Sequence, residues 1–156
     1  MTIAQLDAAL GASQRALLDS STLIAYHAAG ERAHSLARHV LTRISQESDP
    51  LAGYYSMLTA ADLLVRPIRA GAAALGFLHD FLTQFPNLHG LPMDLHVAQQ
   101  AATLRATAGL RLPDAIVVAS GLLAACETIV TNDETWQRRL APLFRQFRWI
   151  YLGAFA

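Results

Sequence analysis

The sequence predicts an α/β protein built on a mainly parallel sheet. Short apolar runs, Ala16-Leu17-Leu18 and Thr128-Ile129-Val130 among them, alternate along the chain with longer stretches of helical periodicity. That alternation marks βαβ units, in which each connection between neighbouring parallel strands crosses over through a helix. In addition, four aspartates stand where an apolar run stops or a helix begins: Asp19, Asp62, Asp114 and Asp133. The carboxyl ends of parallel strands and the adjoining helix starts share one crevice, so these acids from distant parts of the chain are expected to meet.

Taken in order, Ile3 to Leu10 reads as a helical lead-in ended near Gly11. Ala16-Leu17-Leu18-Asp19 is a compact apolar run that stops at Ser20-Ser21-Thr22, from which Leu23-Ile24-Ala25-Tyr26 continues as a short helix. Between Glu31 and Ile44 the apolar residues Ala33, Leu36, Ala37, Val40, Leu41 and Ile44 keep the spacing of an amphipathic helix, with Arg32, Arg38, His39 and Arg43 opposite. Ser48-Asp49-Pro50 marks a turn, and Gly53 to Met57 a second strand. The next helix is expected to enter at Thr59 as N-cap, with Asp62 at its third helical position, and to end near Pro67. Another runs from Ala70 to Gln84, closed by Pro86. Asn87 to Leu91 reads as a short strand before a helix capped by Asp94 and stopped by a left-handed Gly109. Pro113, at a first helical position, opens an almost wholly apolar helix through Ala125 that must be buried on most sides. Thr128-Ile129-Val130 and Trp149-Ile150-Tyr151 complete the strands.

With 156 residues, 53% of them hydrophobic, the chain can bury a sizeable core as one domain spanning 1–156, residues 1–14 forming the lead-in. Twelve basic residues balance twelve acidic ones, so any nucleic-acid affinity has to come from a local patch. Every basic residue is arginine. The absence of lysine excludes Schiff-base chemistry, a Walker-type phosphate loop and a Ser-Lys pair. Cys126 is the only cysteine, which excludes an intrachain disulfide and a thiolate zinc cluster; flanked by Leu122 to Ala125, it reads as a packed thiol. The start of the chain has no signal-peptide pattern, and no uncharged apolar run approaches the roughly 20 residues that span a bilayer. A soluble cytoplasmic protein without a membrane partner is expected.

One aspartate at a strand end is ordinarily a turn former or a cap, the role expected of Asp94. Four of them change the reading, because carboxylates crowded in low dielectric repel one another and a divalent ion such as Mg2+ or Mn2+ relieves that repulsion. Asp114 is the most telling. Just past Pro113 it satisfies the helix dipole, yet it sits at the mouth of a buried helix, where an ionised group needs a partner.

Leu17 to Ile24, Leu110 to Ala119 and Ile129 to Asp133 resemble, in order and separation, the first, third and fourth motifs of the PIN-domain ribonucleases, and within them the toxins of VapBC-type toxin–antitoxin pairs. The resemblance runs from about Ala16 to Tyr151. It implies a three-layer α/β/α sandwich, Mg2+- or Mn2+-dependent hydrolysis of RNA to 5′-phosphate and 3′-hydroxyl ends, a cognate antitoxin that blocks the acidic pocket, and a homodimer. It further implies Asp19 and Asp114 as primary metal ligands, with Asp62 and Asp133 assisting directly or through waters. The ion would polarise a phosphodiester oxygen and generate the attacking nucleophile from water. Ser21 would orient a ligand or the phosphate, or serve only as a cap. Thr131 is either a supporting hydroxyl or a loop residue, and Glu134 competes with Asp133 for the fourth acidic position.

The departure lies in the second motif, Ser56 to Leu64, where Asp62 stands in place of the family's usual Glu. One methylene shorter, it is expected to act through a bridging water or on a shifted ion, with weaker metal affinity. This motivates an alternative, a PIN-like module that has lost efficient catalysis and serves in binding or regulation. An unrelated phosphohydrolase with an aspartyl nucleophile is disfavoured, because no second acid follows Asp19 two residues on and no lysine supports it. Arg138 and Arg139, just after the fourth acid, are candidate RNA contacts. Arg32, Arg38 and Arg43 form a basic stripe that either tracks a phosphate backbone or, the reading slightly favoured, is an ordinary solvated face, and the six histidines read as solvated or helix-face residues. Trp136, Phe144, Phe147 and Trp149 read as packing residues.

Overall fold

Strands β1 (Arg15–Leu18), β2 (Ala52–Ser56), β3 (Leu88–Leu91), β4 (Thr128–Thr131) and β5 (Arg148–Tyr151) form one sheet in the order β3-β2-β1-β4-β5, every neighbouring pair parallel. The structure is a computed structural model that describes residues 2–156; Met1, the first residue of the expected lead-in, lies outside the described residues. All five expected strands are present, with ends that shift by a residue. Helix α1 (Ile3–Leu10) precedes the first strand, and α2 (Ser20–His27), α3 (His34–Ser45), α4 (Met57–Ala70), α5 (Ala72–Gln84), α6 (Leu95–Ala108), α7 (Leu112–Leu123) and α8 (Glu134–Leu140) supply the crossovers.

Register places β1 at the centre, with Leu17 opposite Tyr54 of β2 on one side and Ile129 of β4 on the other. The chain lays β2 and β3 to one side of β1, then returns to lay β4 and β5 on the other. Strand order therefore reverses between β1 and β4, and such a reversal opens a crevice at the carboxyl ends of the strands. Asp19 follows β1 directly and Asp133 lies two residues past β4.

The layers follow from the two-residue period of a strand. Ala16, Leu18, Val130 and Ile150 face a core closed by residues such as Leu6, Leu41, Leu63 and Phe81 of α1, α3, α4 and α5. Leu17 and Ile129 face the opposite side and meet Leu104, Ile116, Val118 and Leu140 of α6, α7 and α8. The result is an α/β/α sandwich. With both faces covered, all four residues of β4 are buried, which is why it reads as a continuous apolar run rather than an alternating one. Each fully buried Leu or Ile stabilises the fold by about 1.5–3 kcal/mol. Gly121 lets α7 lie close on the sheet: a Cβ there would stand 2.8 Å from Leu17 Cδ2.

Several expected helix boundaries are corrected: α3 starts at His34 rather than near Glu31, α5 at Ala72 rather than Ala70, and the ends of α4 and α7 also move. Helix α4 starts at Met57, not Thr59, because Ser56 at the end of β2 keeps extended backbone and its hydroxyl accepts from Leu58 N–H at 3.3 Å. Asp62 consequently lies in the second turn of the helix rather than at its third position. The same helix runs through Pro67 to Ala70, with Gly71 N–H donating to Pro67 O at 3.1 Å. Pro67 removes one donor but its fixed φ suits a helix, and Ile68, Arg69 and Ala70 beyond it are exposed, so little packing is strained. Helix α7 stops at Leu123, two residues before the expected Ala125, where Ala125 takes a positive φ of 52° and Cys126 N–H turns back to Gly121 O at 2.9 Å.

Candidate functional site

The crevice is built outward from Asp19. Its main-chain N–H still donates to Val130 O at 3.3 Å, extending the sheet, while its carboxylate caps α2 by accepting from Thr22 N–H at 2.9 Å. Two hydroxyls hold the same carboxylate: Thr131 Oγ1 donates to Oδ2 at 2.6 Å, and Ser21 Oγ donates from 2.8 Å. Ser21 in turn accepts from Asn132 N–H at 2.8 Å, and Thr131 from Asp133 N–H at 3.0 Å, so the turns after β1 and β4 are stitched together through the two hydroxyls. Asp19 is only 7% exposed. Burial pushes its carboxyl above the usual 3.8, against the hydrogen bonds from Thr131, Thr22 and Ser21 that pull it down. No basic side chain among the described residues pairs with it.

Asp133 caps α8, accepting from Trp136 N–H at 2.9 Å. Asp114 sits in the first turn of α7, where the helix dipole favours its charge, and α8 clamps it from two sides. Trp136 Nε1 donates to Asp114 Oδ1 at 2.9 Å, and the Arg139 guanidinium pairs with Oδ2. Asp62 projects from α4 and is exposed. All four aspartates line a single pocket of about 160 Å³, together with Ser21 and Trp136. Glu134 lies outside that lining and faces Arg138 across 3.8 Å.

The chemistry of this donor set fits a hard divalent cation. Carboxylates and hydroxyls are what Mg2+ or Mn2+ takes, and a buried acid without a basic partner is a group that a cation would relieve. As the side chains lie, however, no three acidic, histidine or cysteine residues among the described ones are grouped to share one ion. Two of the acids are turned to other partners: Asp114 to Trp136 and Arg139, and Asp133 to the start of α8.

A family model described as PIN domain matches residues 16–141. The chain belongs to the PIN domain family. No curated protein sequence matches it. Among solved structures this PIN domain is similar to a toxin-antitoxin complex from Klebsiella pneumoniae, with 20% identity, a TM-score of 0.64, and 88% of this chain and 97% of that one covered. It is also similar to FitAcB from Neisseria gonorrhoeae, at 16% identity and a TM-score of 0.61, covering 88% and 98%. A third is VapC20 from Mycobacterium tuberculosis, described as a sarcin-ricin loop cleaving toxin, at 18% identity and a TM-score of 0.58, covering 79% and 93%.

Around the pocket of this PIN domain, the contacts of Trp136 and Arg139 with Asp114 are the feature that sequence reading missed. Trp136 does pack, its ring 5.3 Å from that of Trp149, but its indole N–H also reaches the acid. The signal was the three-residue spacing of Trp136 and Arg139 after a helix cap, which puts both on one face of α8. Elsewhere, Arg43 is not part of a freely solvated stripe: it is ion-paired to Asp49 at 2.7 Å and Asp7 at 3.3 Å. His27, at the end of α2, is half-buried. It packs 4.5 Å from the Phe81 ring, burial lowers its pKa, and its Nε2 has no hydrogen-bond partner among the described residues. Cys126 is buried and its thiol is pushed up to about 12, as suits a packing residue. Among the described residues no single helix is long and apolar enough to cross a membrane.

Proposed function

We propose that this PIN domain protein is a metal-dependent ribonuclease that hydrolyses RNA phosphodiester bonds and acts as the toxin of a toxin–antitoxin pair. The observation that carries the reading is the convergence of Asp19, Asp62, Asp114 and Asp133, from four separate elements, on one pocket at the strand-order reversal. Bound there, Mg2+ or Mn2+ would supply Lewis acidity at a phosphodiester. Asp19 would be the fixed ligand, held by Thr22 N–H, Ser21 and Thr131. Asp114 would be the second, aimed by the Trp136 indole. Asp133 and Asp62 would complete the site or hold its waters, and Arg138 and Arg139 beyond it would meet the RNA backbone.

The partner proposals draw on the neighbours, one of which is solved as a toxin-antitoxin complex from Klebsiella pneumoniae and another as VapBC-1 from nontypeable Haemophilus influenzae. An apolar groove of about 380 Å³ beside Ile24, Leu63, Pro67 and Phe77, with Phe77 68% exposed, offers a protein partner area to bury. An antitoxin, self-association as a homodimer and a cytoplasmic location complete the reading. A small DNA-binding protein encoded beside this chain, copurifying with it and inhibiting it, would test the pairing.

The ribonuclease itself is tested by RNA cleavage with Mg2+ or Mn2+. Asp19→Asn and Asp114→Asn should each lower the rate at least about 100-fold, and chelator should abolish it. Cleavage that persists in chelator or in both variants overturns the reading. The alternative of a catalytically weakened module is favoured by one observation, that Asp62 is both short and exposed. Asp62→Glu separates the two: a large gain in rate supports weakened catalysis, whereas little change supports a site tuned to aspartate.

A further inference from the structure

We propose that Arg139 is an exchangeable counter-ion for Asp114, which an incoming divalent cation displaces, while Trp136 stays in place and keeps the carboxylate aimed into the pocket. This rests on the metal-dependent reading of the site. Of the four aspartates lining the pocket, only Asp114 forms an ion pair among the described residues. Its two oxygens are divided between two donors of α8, the indole on Oδ1 and the guanidinium on Oδ2.

These donors differ in what their displacement costs. Trp136 is 8% exposed and wedged against Trp149, so moving it would open the core. The Arg139 side chain is 44% exposed, and an ion pair at that exposure is weak. Arg139 also has somewhere to go. It lines, with Arg111, a second pocket of about 300 Å³ that adjoins the first through Asp114.

Charge argues in the same direction. A guanidinium and a divalent cation on one carboxylate repel each other strongly within a few ångströms, so the two compete for Oδ2 rather than share it.

The test is a Mg2+ titration of the full chain, followed by calorimetry and by tryptophan emission, since Trp136 donates directly to Asp114. Arg139→Gln should bind Mg2+ roughly fivefold more tightly than wild type, the most that a part-exposed ion pair holds back. Arg138→Gln removes an equal charge one residue away, from a side chain that is 76% exposed and faces only Glu134, and should change the affinity less than about twofold. Equal or weaker Mg2+ binding by Arg139→Gln overturns the proposal, as does equal tightening by Arg138→Gln. Asp114→Asn distinguishes the failures. If it loses Mg2+ binding while Arg139→Gln is unchanged, the counter-ion inference alone falls; if it binds Mg2+ like wild type, the metal-site reading falls with it. Thermal unfolding in chelator confirms that each variant is folded.

Discussion

Asp19 is kept where an isolated carboxylate would not stay. Burial disfavours its charged form, and the compensation comes from three donors, of which Thr131 is the closest. Thr131 also accepts from Asp133 N–H, so one hydroxyl serves the acids following β1 and β4. Thr131→Val keeps the side-chain shape and removes that hydroxyl. It should destabilise the protein by about 1.5–3 kcal/mol, the range for a hydrogen bond to a charged group, and lower RNA cleavage about 10- to 100-fold. Urea denaturation and a cleavage assay check both; a variant equal to wild type in each would mean that Asp19 needs no help from this side. The placing of Asp19, Asp114 and Asp133 was legible because strand ends and helix starts are local features, each written in a few consecutive residues; Asp62 lines the same pocket from the second turn of α4, at neither kind of position. The choice between Asp133 and Glu134 was not local. It depends on which carboxylate the start of α8 turns inward, and Asp133 as N-cap lines the pocket while Glu134 faces Arg138.

At the scale of elements, sequence reading succeeded where burial is two-sided and faltered at helix entries. Strands β1 and β4 announce themselves because both faces are covered, whereas the entry of α4 turns on whether Ser56 or Thr59 takes the cap, and both are capable. Ser56 wins because it ends β2 in extended backbone, the conformation that an N-cap takes, and its hydroxyl accepts from Leu58 N–H. Ion pairs that join an element to the turn after it are the other part hidden from a linear reading. Arg43 of α3 reaches across to Asp49, in the turn before β2, with side chains only 16% and 14% exposed. The guanidinium hydrogen bond holds the Asp49 carboxyl below the usual 3.8. A carboxylate whose folded pKa is depressed adds stability that is complete above its unfolded pKa and is lost as the pH falls through the folded one. Asp49→Asn should therefore cost about 1–3 kcal/mol at pH 7, and the gap to wild type should close as the pH drops below 3.8. Urea denaturation at a series of pH values measures it, and a gap that stays constant into acid would show that the pair is not the source.

The whole molecule is electrically balanced, with twelve arginines against twelve acids, and its proposed substrate is a polyanion. A neutral protein cannot rely on bulk attraction to RNA, so its grip has to come from the few cations near the pocket. Arg111 and Arg139 line the space beside Asp114, and Arg138 stands exposed one residue earlier. Several other arginines are already engaged: Arg43 by acids, Arg15 by the Ala124 carbonyl and the Tyr54 ring, Arg148 by Leu10 O. Two or three phosphate contacts with single-stranded RNA correspond to a log K against log salt slope of about −1.4 to −2.1. Measured in chelator, where RNA stays intact, the wild-type slope should fall in that range, and Arg138→Ala should reduce its magnitude by about 0.7. A much steeper slope would place the RNA on a wider arginine surface than the pocket rim provides. A slope unchanged in Arg138→Ala would move the backbone contact to Arg111 or Arg139, whose neighbour Asp114 ties RNA binding to the state of the metal site.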